Sequence, residues 1–291
     1  GGYKFTSNSD IWLQFKAGYS FKLKQFYFWT PLIYYFDKQH NAYLKTTLSG
    51  GRRIKNRRLV NELNLATDNN PIWEGMQLDE FKDTYWDCFA NYDLSKHIGF
   101  QAGLILHHRS AVHKEGFVLI NKPRVYSSLA PKLQVQYRPW GYAGPTLTAS
   151  YEQSLNKLAN TNVPYTRWEF DGQYILPLWN VQSLSMRLGG GFYTHRSSND
   201  YFVDFENFRQ TFLPDGWIDD WSGEFELLDS DLYNSSHYYA RANFTYESPF
   251  LILAWVPFAG HFIERERLYF SALHAKQAHP YIELGYAFKT R

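Results

Sequence analysis

The chain has 291 residues, 19% of them aromatic, and its formal charge of +2 gives no basic excess that would indicate a nucleic-acid partner. Cys88 is the only cysteine, which excludes an intrachain disulfide and a cysteine zinc site. The longest apolar run, residues 250–262, contains Pro257 and His261 and is too short for a transmembrane helix. Two classes remain, an aromatic-rich soluble β protein and an outer-membrane β-barrel.

Apolar side chains alternate with polar or small ones along most of the chain, which predicts β-strands. The first such strand covers residues 11–19. The same alternation recurs in segments 98–106, 132–138, 167–176, 183–188, 237–247 and 282–288. Weaker strand candidates are segments 21–29, 31–37, 42–49, 84–92, 145–152 and 266–273. Helical spacing is nearly absent, although segment 57–65 could form a turn or two. We predict about twelve strands, most of them near the length of ~9–11 residues that crosses a bilayer at a tilt.

Short connections rich in Pro and Gly alternate with long polar ones, as in outer-membrane barrels. Aromatic side chains cluster at strand ends, where a membrane interface would place them. The interface candidates are Trp29, Tyr34, Trp140, Trp179, Tyr246 and Trp255. The alternative is a soluble β-sandwich with an aromatic core, which the periodicity alone does not separate from a barrel.

One basic block stands out, and it is a candidate contact for anionic lipid headgroups or a phosphorylated glycolipid. It consists of Arg52, Arg53, Lys55, Arg57 and Arg58. The alternative is a solvated loop. A second charged run, residues 264–267, alternates acid and base, and we interpret it as a ladder that fixes the register between strands.

Neither of two possible chemical sites has the residue pattern that its chemistry needs. His107, His108 and His113 suggest a metal, but adjacent residues of a strand point to opposite faces, so a polar loop at a strand end is favoured. A lipid hydrolase would need a serine–histidine pair, for which the candidates are Ser183, Ser185, Ser236 and His237. No nucleophile elbow surrounds these serines. We therefore expect no enzyme, no metal and no cofactor.

The C-terminal strand carries part of the terminal pattern of outer-membrane barrels. Its matching residues are Glu283, Gly285, Tyr286 and Phe288, whereas Thr290 replaces the final aromatic residue. In lipid, such a strand must pair with another strand, because unsatisfied backbone groups are costly there. We expect the strand at residues 11–19 to be the edge available for pairing, either with the C-terminal strand or with a strand upstream.

Segments 225–236, 246–251, 263–269 and 280–286 resemble, in this order, the C-terminal barrel of a family of Bacteroidota outer-membrane proteins. Segments 128–133 and 201–208 fit the same resemblance. It implies an N-terminal carboxypeptidase-regulatory-like domain and further strands before residue 1. More distantly, the chain resembles the surface-antigen superfamily of assembly-factor barrels. The Arg-Gly-aromatic tip of that superfamily has no counterpart in residues 189–197.

The sequence as a whole predicts an all-β fold, an antiparallel transmembrane β-barrel over residues 1–291, either closed by its own strands, about twelve in number, or, as the resemblance implies, the C-terminal part of a barrel of about sixteen strands. The expected function is a non-enzymatic scaffold, assembly or transport component of the outer membrane of a Gram-negative bacterium. Its expected partners are outer-membrane lipid, the outer-membrane assembly machinery during insertion, and other outer-membrane or periplasmic proteins. The alternatives are an outer-membrane lipid-modifying enzyme and a soluble carbohydrate-binding β-sandwich.

Overall fold

A computed structural model describes residues 2–4, 8–21, 24–55, 58–68, 70, 72–155, 161–179, 181–196, 225, 237–257, 262–275 and 280–290. The described chain is all-β, which confirms the predicted fold class. Its strands are β1 (Gly2–Lys4), β2 (Asp10–Leu13), β3 (Lys16–Ser20), β4 (Gln25–Asp37), β5 (Ala42–Lys55), β6 (Glu80–Asp93), β7 (Ile98–Ala111), β8 (Val125–Tyr137), β9 (Thr146–Gln153), β10 (Tyr165–Pro177), β11 (Ser183–Arg196), β12 (Tyr238–Ser248), β13 (Ile263–Ala275) and β14 (Tyr281–Thr290).

The strands form an antiparallel sheet in which neighbours follow chain order, the order of a β-barrel; β3 alone lies off this path and pairs with β4. The connections from β4 to β12 alternate in length as predicted, whereas the last two depart from the pattern, since residues 249–262 join β12 to β13 and only 276–280 join β13 to β14. Short ones at residues 38–41, 94–97, 138–145 and 178–182 lie at one end of their strands, and long ones at 56–79, 112–124, 154–164 and 197–237 lie at the other. We call these the short-connection end and the long-connection end of each strand.

The predicted first strand, residues 11–19, is divided into β2 and β3. The division lies beside Pro31 of β4, whose carbonyl accepts the N–H of Gln14 at 3.1 Å. Proline has no N–H to return, so the ladder is interrupted there. The expectation that this segment is a sheet edge holds only in part, because β2 pairs with β1 on one side and with β4 on the other, whereas β3 pairs with β4 alone among the described strands.

The long connections contain three helices, α1 (Arg58–Ala66), α2 (Ile72–Gly75) and α3 (Lys114–Leu119). The first covers the segment expected to form a turn or two, whereas α2 and α3 were not predicted. The apolar side chains of these helices pack with the adjoining strand ends into a small core. The core consists of Leu59, Val60, Leu78, Phe81, Ala111, Phe117, Tyr126, Ala130, Val163 and Tyr165. The rings of Phe81 and Phe117 meet edge to face, 5.5 Å apart. No helix in the described ranges is long and apolar enough to cross a membrane.

Contacts divide the chain into two compact units. Unit 1 comprises residues 1–135, 150–168 and 193–204, and it includes the helical core. Unit 2 comprises residues 136–149, 169–192 and 205–291.

Candidate functional site

The two faces of the strands reverse the burial found in soluble proteins. On β10, Asp171 is only 4% exposed, whereas the neighbouring Phe170 is 45% exposed. The strands therefore have a buried polar face and an exposed apolar face; the alternation predicted the two faces but not which of them is buried. A soluble sandwich would bury the apolar face instead, whereas strands of a transmembrane barrel carry apolar residues outward and polar residues inward.

Both units show this division. The buried charged and amide residues of the polar face include Asp87, Asn91, Arg109, Lys132, Gln134, Glu152 and Arg167 in unit 1, and Glu169, Asp171, Gln173, Arg187, Arg241, Asn243 and Glu247 in unit 2. The apolar face includes the exposed side chains of Leu104, Leu133, Val135, Phe170, Leu188, Leu268, Phe270, Ile282, Leu284 and Phe288.

Asp171 is the centre of the polar face in unit 2. Its carboxylate accepts hydrogen bonds from Arg187 Nε at 3.1 and 3.2 Å, from Arg241 Nη2 at 2.7 Å and from Gln173 Nε2 at 2.6 Å. The hydroxyl of Tyr239 donates to Glu169 at 3.1 Å. Two arginines thus contact the Asp171 carboxylate, and this pairing of opposite charges offsets part of the cost of removing the ions from water.

Gly189 explains how Arg241 reaches Asp171 from a strand two places away. Gly189 lies opposite Arg241 in the β11–β12 pair. A Cβ on Gly189 would lie 2.8 Å from Arg241 Nε and 3.0 Å from Asp171 Oδ1. The first glycine of the 189–191 run therefore makes room for an ion pair across β11, which gives this run a role that the sequence did not reveal.

Glu152 is the corresponding centre in unit 1. It accepts hydrogen bonds from Arg167 Nη2 at 2.7 Å and from the hydroxyl of Tyr165. Arg109 Nε donates to Asp83 at 2.8 Å, and His107 lies beside the same carboxylate. Because each of these carboxylates is held by an arginine, the geometry favours a structural role over proton transfer or nucleophilic attack.

The charged run at residues 264–267 divides between the two faces. Arg265 Nη1 and Arg267 Nε contact the Glu247 carboxylate at 2.6 and 2.5 Å, so these two arginines link β13 to β12 as the ladder interpretation requires. Glu266 is not part of this ladder, because it lies on the apolar face. Its carboxylate accepts the backbone N–H groups of Leu251, Ile252 and Leu253. This role of Glu266 could not be predicted, because a sequence does not show which backbone N–H groups a side chain will bind.

Most of the predicted interface aromatics lie beside short connections. Trp140 and Trp179 belong to short connections of unit 2, Trp255 belongs to the β12–β13 connection, and Tyr246 is near the end of β12. Tyr34 is near the same end of β4, in unit 1. Trp29 lies in the opposite half of β4 with Lys16 Nζ 5.3 Å from its ring centre. The position of Trp29 is thus distinct from the other five.

The basic block lies where β5 meets α1. Arg52, Arg53 and Lys55 belong to the last residues of β5, and Arg58 begins α1, so these positions are not in a simple loop. Arg57 lies outside the described residues. In the terminal strand, Glu283 and Gly285 are on the polar face, whereas Tyr286 and Phe288 are on the apolar face. The lipid contact and the assembly signal remain predictions.

The structure separates the predicted serine–histidine candidates. Ser185 lies opposite Thr245, and the strand from His237 to Thr245 spans roughly 26 Å at the usual rise per residue. Ser183 is on the same strand as Ser185, and Ser236 lies outside the described residues. Among the described residues, the candidates Ser183, Ser185 and His237 therefore form no catalytic pair.

The structure pairs a different serine and histidine. His108 Nδ1 and Ser127 Oγ lie 2.8 Å apart on the apolar face of β7 and β8. Within the described part of the chain, no carboxylate contacts His108 to orient its ring. His107 points to the other face, as predicted for adjacent residues of a strand. No group of three His, Cys, Asp or Glu side chains in the described ranges could hold a metal ion.

A known family covers the second half of the chain. Residues 138–288, just over half of the sequence, match the C-terminal domain of a family of unknown function (DUF5686). The chain belongs to this family. The match includes β9 to β13, most of β14 and therefore the Asp171 and Glu266 arrangements.

No curated protein matches the chain. A solved structure similar to it is the crystal structure of BamA from Haemophilus ducreyi lacking POTRA domains 1-3. The two are 11% identical with a TM-score of 0.45, and the match covers 94% of this chain and 56% of the BamA chain. This chain thus spans little more than half of the BamA chain, and a likeness of this size does not transfer a function.

Proposed function

We propose that this chain is the membrane-embedded β-barrel domain of an outer-membrane protein. The supporting observation is the reversed burial of the strands. Arg167 is 2% exposed on the polar face, whereas Leu284 is 75% exposed on the apolar face. In water the apolar face would carry a large hydrophobic cost, which a lipid environment removes.

The role that fits this domain is a non-enzymatic scaffold, assembly or transport component. Its partners are outer-membrane lipid, the assembly machinery during insertion, and outer-membrane or periplasmic proteins. The motif resemblance supports a place in the outer membrane of Bacteroidota and a carboxypeptidase-regulatory-like domain upstream. The basic block at the long-connection end of β5 is the proposed contact for anionic headgroups.

Charge placed on each face of one strand tests the membrane proposal. Leu104 and Gln101 lie on opposite faces of β7. In vesicles, Leu104→Arg should lower the free energy of unfolding by about 2–4 kcal/mol, because the charge enters hydrocarbon. Gln101→Arg, on the polar face, should cost much less. Equal losses at the two positions would contradict the proposed orientation.

The Ser127–His108 pair favours one alternative, a lipid-modifying enzyme acting at the membrane surface. A catalytic serine needs a base held in position by a third group. The amide of Asn162 is near, but it is engaged with the backbone of Ser127 and Val125. Mass spectrometry of membrane lipids decides between the two functions. The non-enzymatic proposal expects identical lipids with wild type, Ser127→Ala and His108→Ala, and a lipid product lost in both variants would establish the enzyme.

A further inference from the structure

The connection between β12 and β13 folds against the apolar face, and the evidence is the burial of Glu266 on that face. Opposing residues of antiparallel strands share a face. Glu266 lies opposite Ser248 of β12 and Phe288 of β14. The next residue on the same face of β13 is the exposed Leu268. A carboxylate therefore stands among apolar side chains, yet Glu266 is 0% exposed, because the connection covers it.

The backbone of the connection is hydrogen-bonded where it covers Glu266. The N–H groups of Leu251, Ile252 and Leu253 donate to the Glu266 carboxylate at 2.9, 3.0 and 2.7 Å. Ser248 Oγ accepts the N–H of Phe250 at 3.1 Å. The hydroxyl of Tyr286 on β14 also donates to Glu266. Four successive backbone donors are thus satisfied without water.

A 3₁₀ turn at Leu253–Trp255 satisfies two further donors, those of Trp255 and Val256. The N–H of Trp255 reaches the carbonyl of Ile252 at 3.3 Å, and the N–H of Val256 reaches that of Leu253 at 3.1 Å. Irregular backbone enters an apolar medium only when its polar groups have partners of this kind. The arrangement removes the main obstacle to placing this segment in lipid.

The connection is apolar in sequence, and several of its side chains are exposed. Residues 249–257 contain no charged residue. Ile252 is 57% exposed and Trp255 is 77% exposed, and Phe250 and Val256 are exposed beside them. These side chains continue the exposed apolar face of β13 and β14 beyond the ends of the strands. A tryptophan among aliphatic side chains is the composition that enters the headgroup and acyl boundary of a leaflet.

We propose that residues 249–257 are an interfacial lipid anchor, held on the apolar face by Glu266 and inserted into the leaflet at the short-connection end. The occupant of this surface is membrane lipid. The proposal rests on the proposed membrane function, because the anchor continues the surface that the strands present to lipid. It adds a membrane contact made by a connection and fixed by a single carboxylate.

Fluorescent labels on single cysteines test the anchor. In a Cys88→Ala background, Ile252→Cys is labelled with an environment-sensitive fluorophore and the protein is placed in phospholipid nanodiscs. Quenching by lipids with a spin label in the acyl chain, together with protection from iodide, supports the anchor. Quenching by iodide shows a water-exposed connection and overturns it. Protection from both quenchers shows a protein partner or a second copy on this surface and also overturns it.

Two controls separate failure of the anchor from failure of the membrane proposal. Leu268→Cys reports on the apolar face of β13, and Ser95→Cys reports on an exposed short connection. A label at residue 268 that lipid cannot reach contradicts the membrane proposal itself. If lipid quenches the label at residue 268 while iodide quenches the label at residue 252, the result contradicts the anchor and leaves the membrane proposal standing.

Glu266 is tested in the same assay. Glu266→Ala removes the acceptor of three backbone donors, so the label at residue 252 should lose its lipid quenching while the label at 268 keeps it. Where Glu266→Ala does not fold, Tyr286→Phe removes one hydrogen bond and should increase iodide access at residue 252. Unchanged lipid quenching of the label at residue 252 in a folded Glu266→Ala protein overturns the role of Glu266.

Discussion

Arg241 and Asp171 form an ion pair across an intervening strand, with Arg241 Nη2 2.7 Å from Asp171 Oδ1. Asp171 is on β10 and Arg241 is on β12, and the side chains pass over Gly189 of β11. One side-chain contact thus links β10 to β12 across β11, in addition to the backbone ladders. This contact fixes β10 and β12 relative to each other, because a shift of either strand by one residue would move its charge to the apolar face.

Filling the space at Gly189 should weaken this contact. Gly189→Leu places a side chain where the Arg241 and Asp171 side chains meet, and overpacking of this kind typically costs about 1–3 kcal/mol. Urea unfolding in lipid vesicles measures the loss. The control is Gly172→Ala on the apolar face, where the new Cβ would meet the flexible end of Leu147 at 3.2 Å. Equal stability of the two variants would contradict the role given to Gly189.

Removing the Asp171 carboxylate should lower the free energy of unfolding by more than filling the space at Gly189 does. Asp171→Ala leaves two buried arginines without this partner, and breaking a buried ion pair from one side costs about 3–5 kcal/mol. Asp10→Ala is the matched control, because Asp10 pairs with Lys38 at the surface. An exposed pair contributes about 0–1 kcal/mol. A loss at Asp171 no larger than at Asp10 would show that the polar face is well hydrated.

The alternation of the strands could be predicted because it is a local property, whereas the contacts across the polar face could not. Arg167 and Asp171 share one face of β10 and Phe170 lies on the other, as period 2 requires. The partner of Asp171 is 70 residues away in the sequence, and only the order of the strands brings it near. The sequence predicts a charge ladder that includes Glu266, because it shows side chains and not the backbone N–H groups that bind this carboxylate.

The hairpin between β4 and β5 should respond to acid. The Asp37 carboxylate contacts His40 Nδ1 at 2.6 Å and accepts hydrogen bonds from Asn8 Nδ2 and the Gln39 N–H, both at 2.9 Å. The bond to His40, then that to Asn8, lowers the pKa of Asp37 from 3.8 to about 2. Because the folded pKa lies below the unfolded value, these bonds stabilise the hairpin fully above pH 3.8 and are lost as the pH falls through about 2.

The amide resonance of Gln39 follows this titration by NMR in a micelle or nanodisc. Its midpoint should lie near pH 2 in the wild type, and Asn8→Ala should raise it because one donor is lost. In Asp37→Asn the transition should vanish. A midpoint that is the same in wild type and Asn8→Ala would contradict the assigned contacts.

The helical core at the long-connection end should be well packed, and a substitution that disrupts it should expose only the neighbouring connection. Phe117 is fully buried there against Phe81. Phe117→Ala should cost about 3–5 kcal/mol in the stability of this core and expose the 112–124 connection to protease. Leu119→Ala, an exposed neighbour on α3, should change stability by at most about 0.5 kcal/mol. Equal protease cleavage of the two variants would contradict the core.

The sheet order also has a kinetic consequence for insertion. Most strands pair with the strand that follows them in the chain, and such local pairings form quickly. The link between β11 and β12 is different, since residues 197–237 separate them whereas only 94–97 separate β6 and β7. A link roughly ten times longer adds about 2 kcal/mol of closure entropy. We therefore expect the pairing of β11 with β12 to be the slow step, and the contact over Gly189 to form only after it.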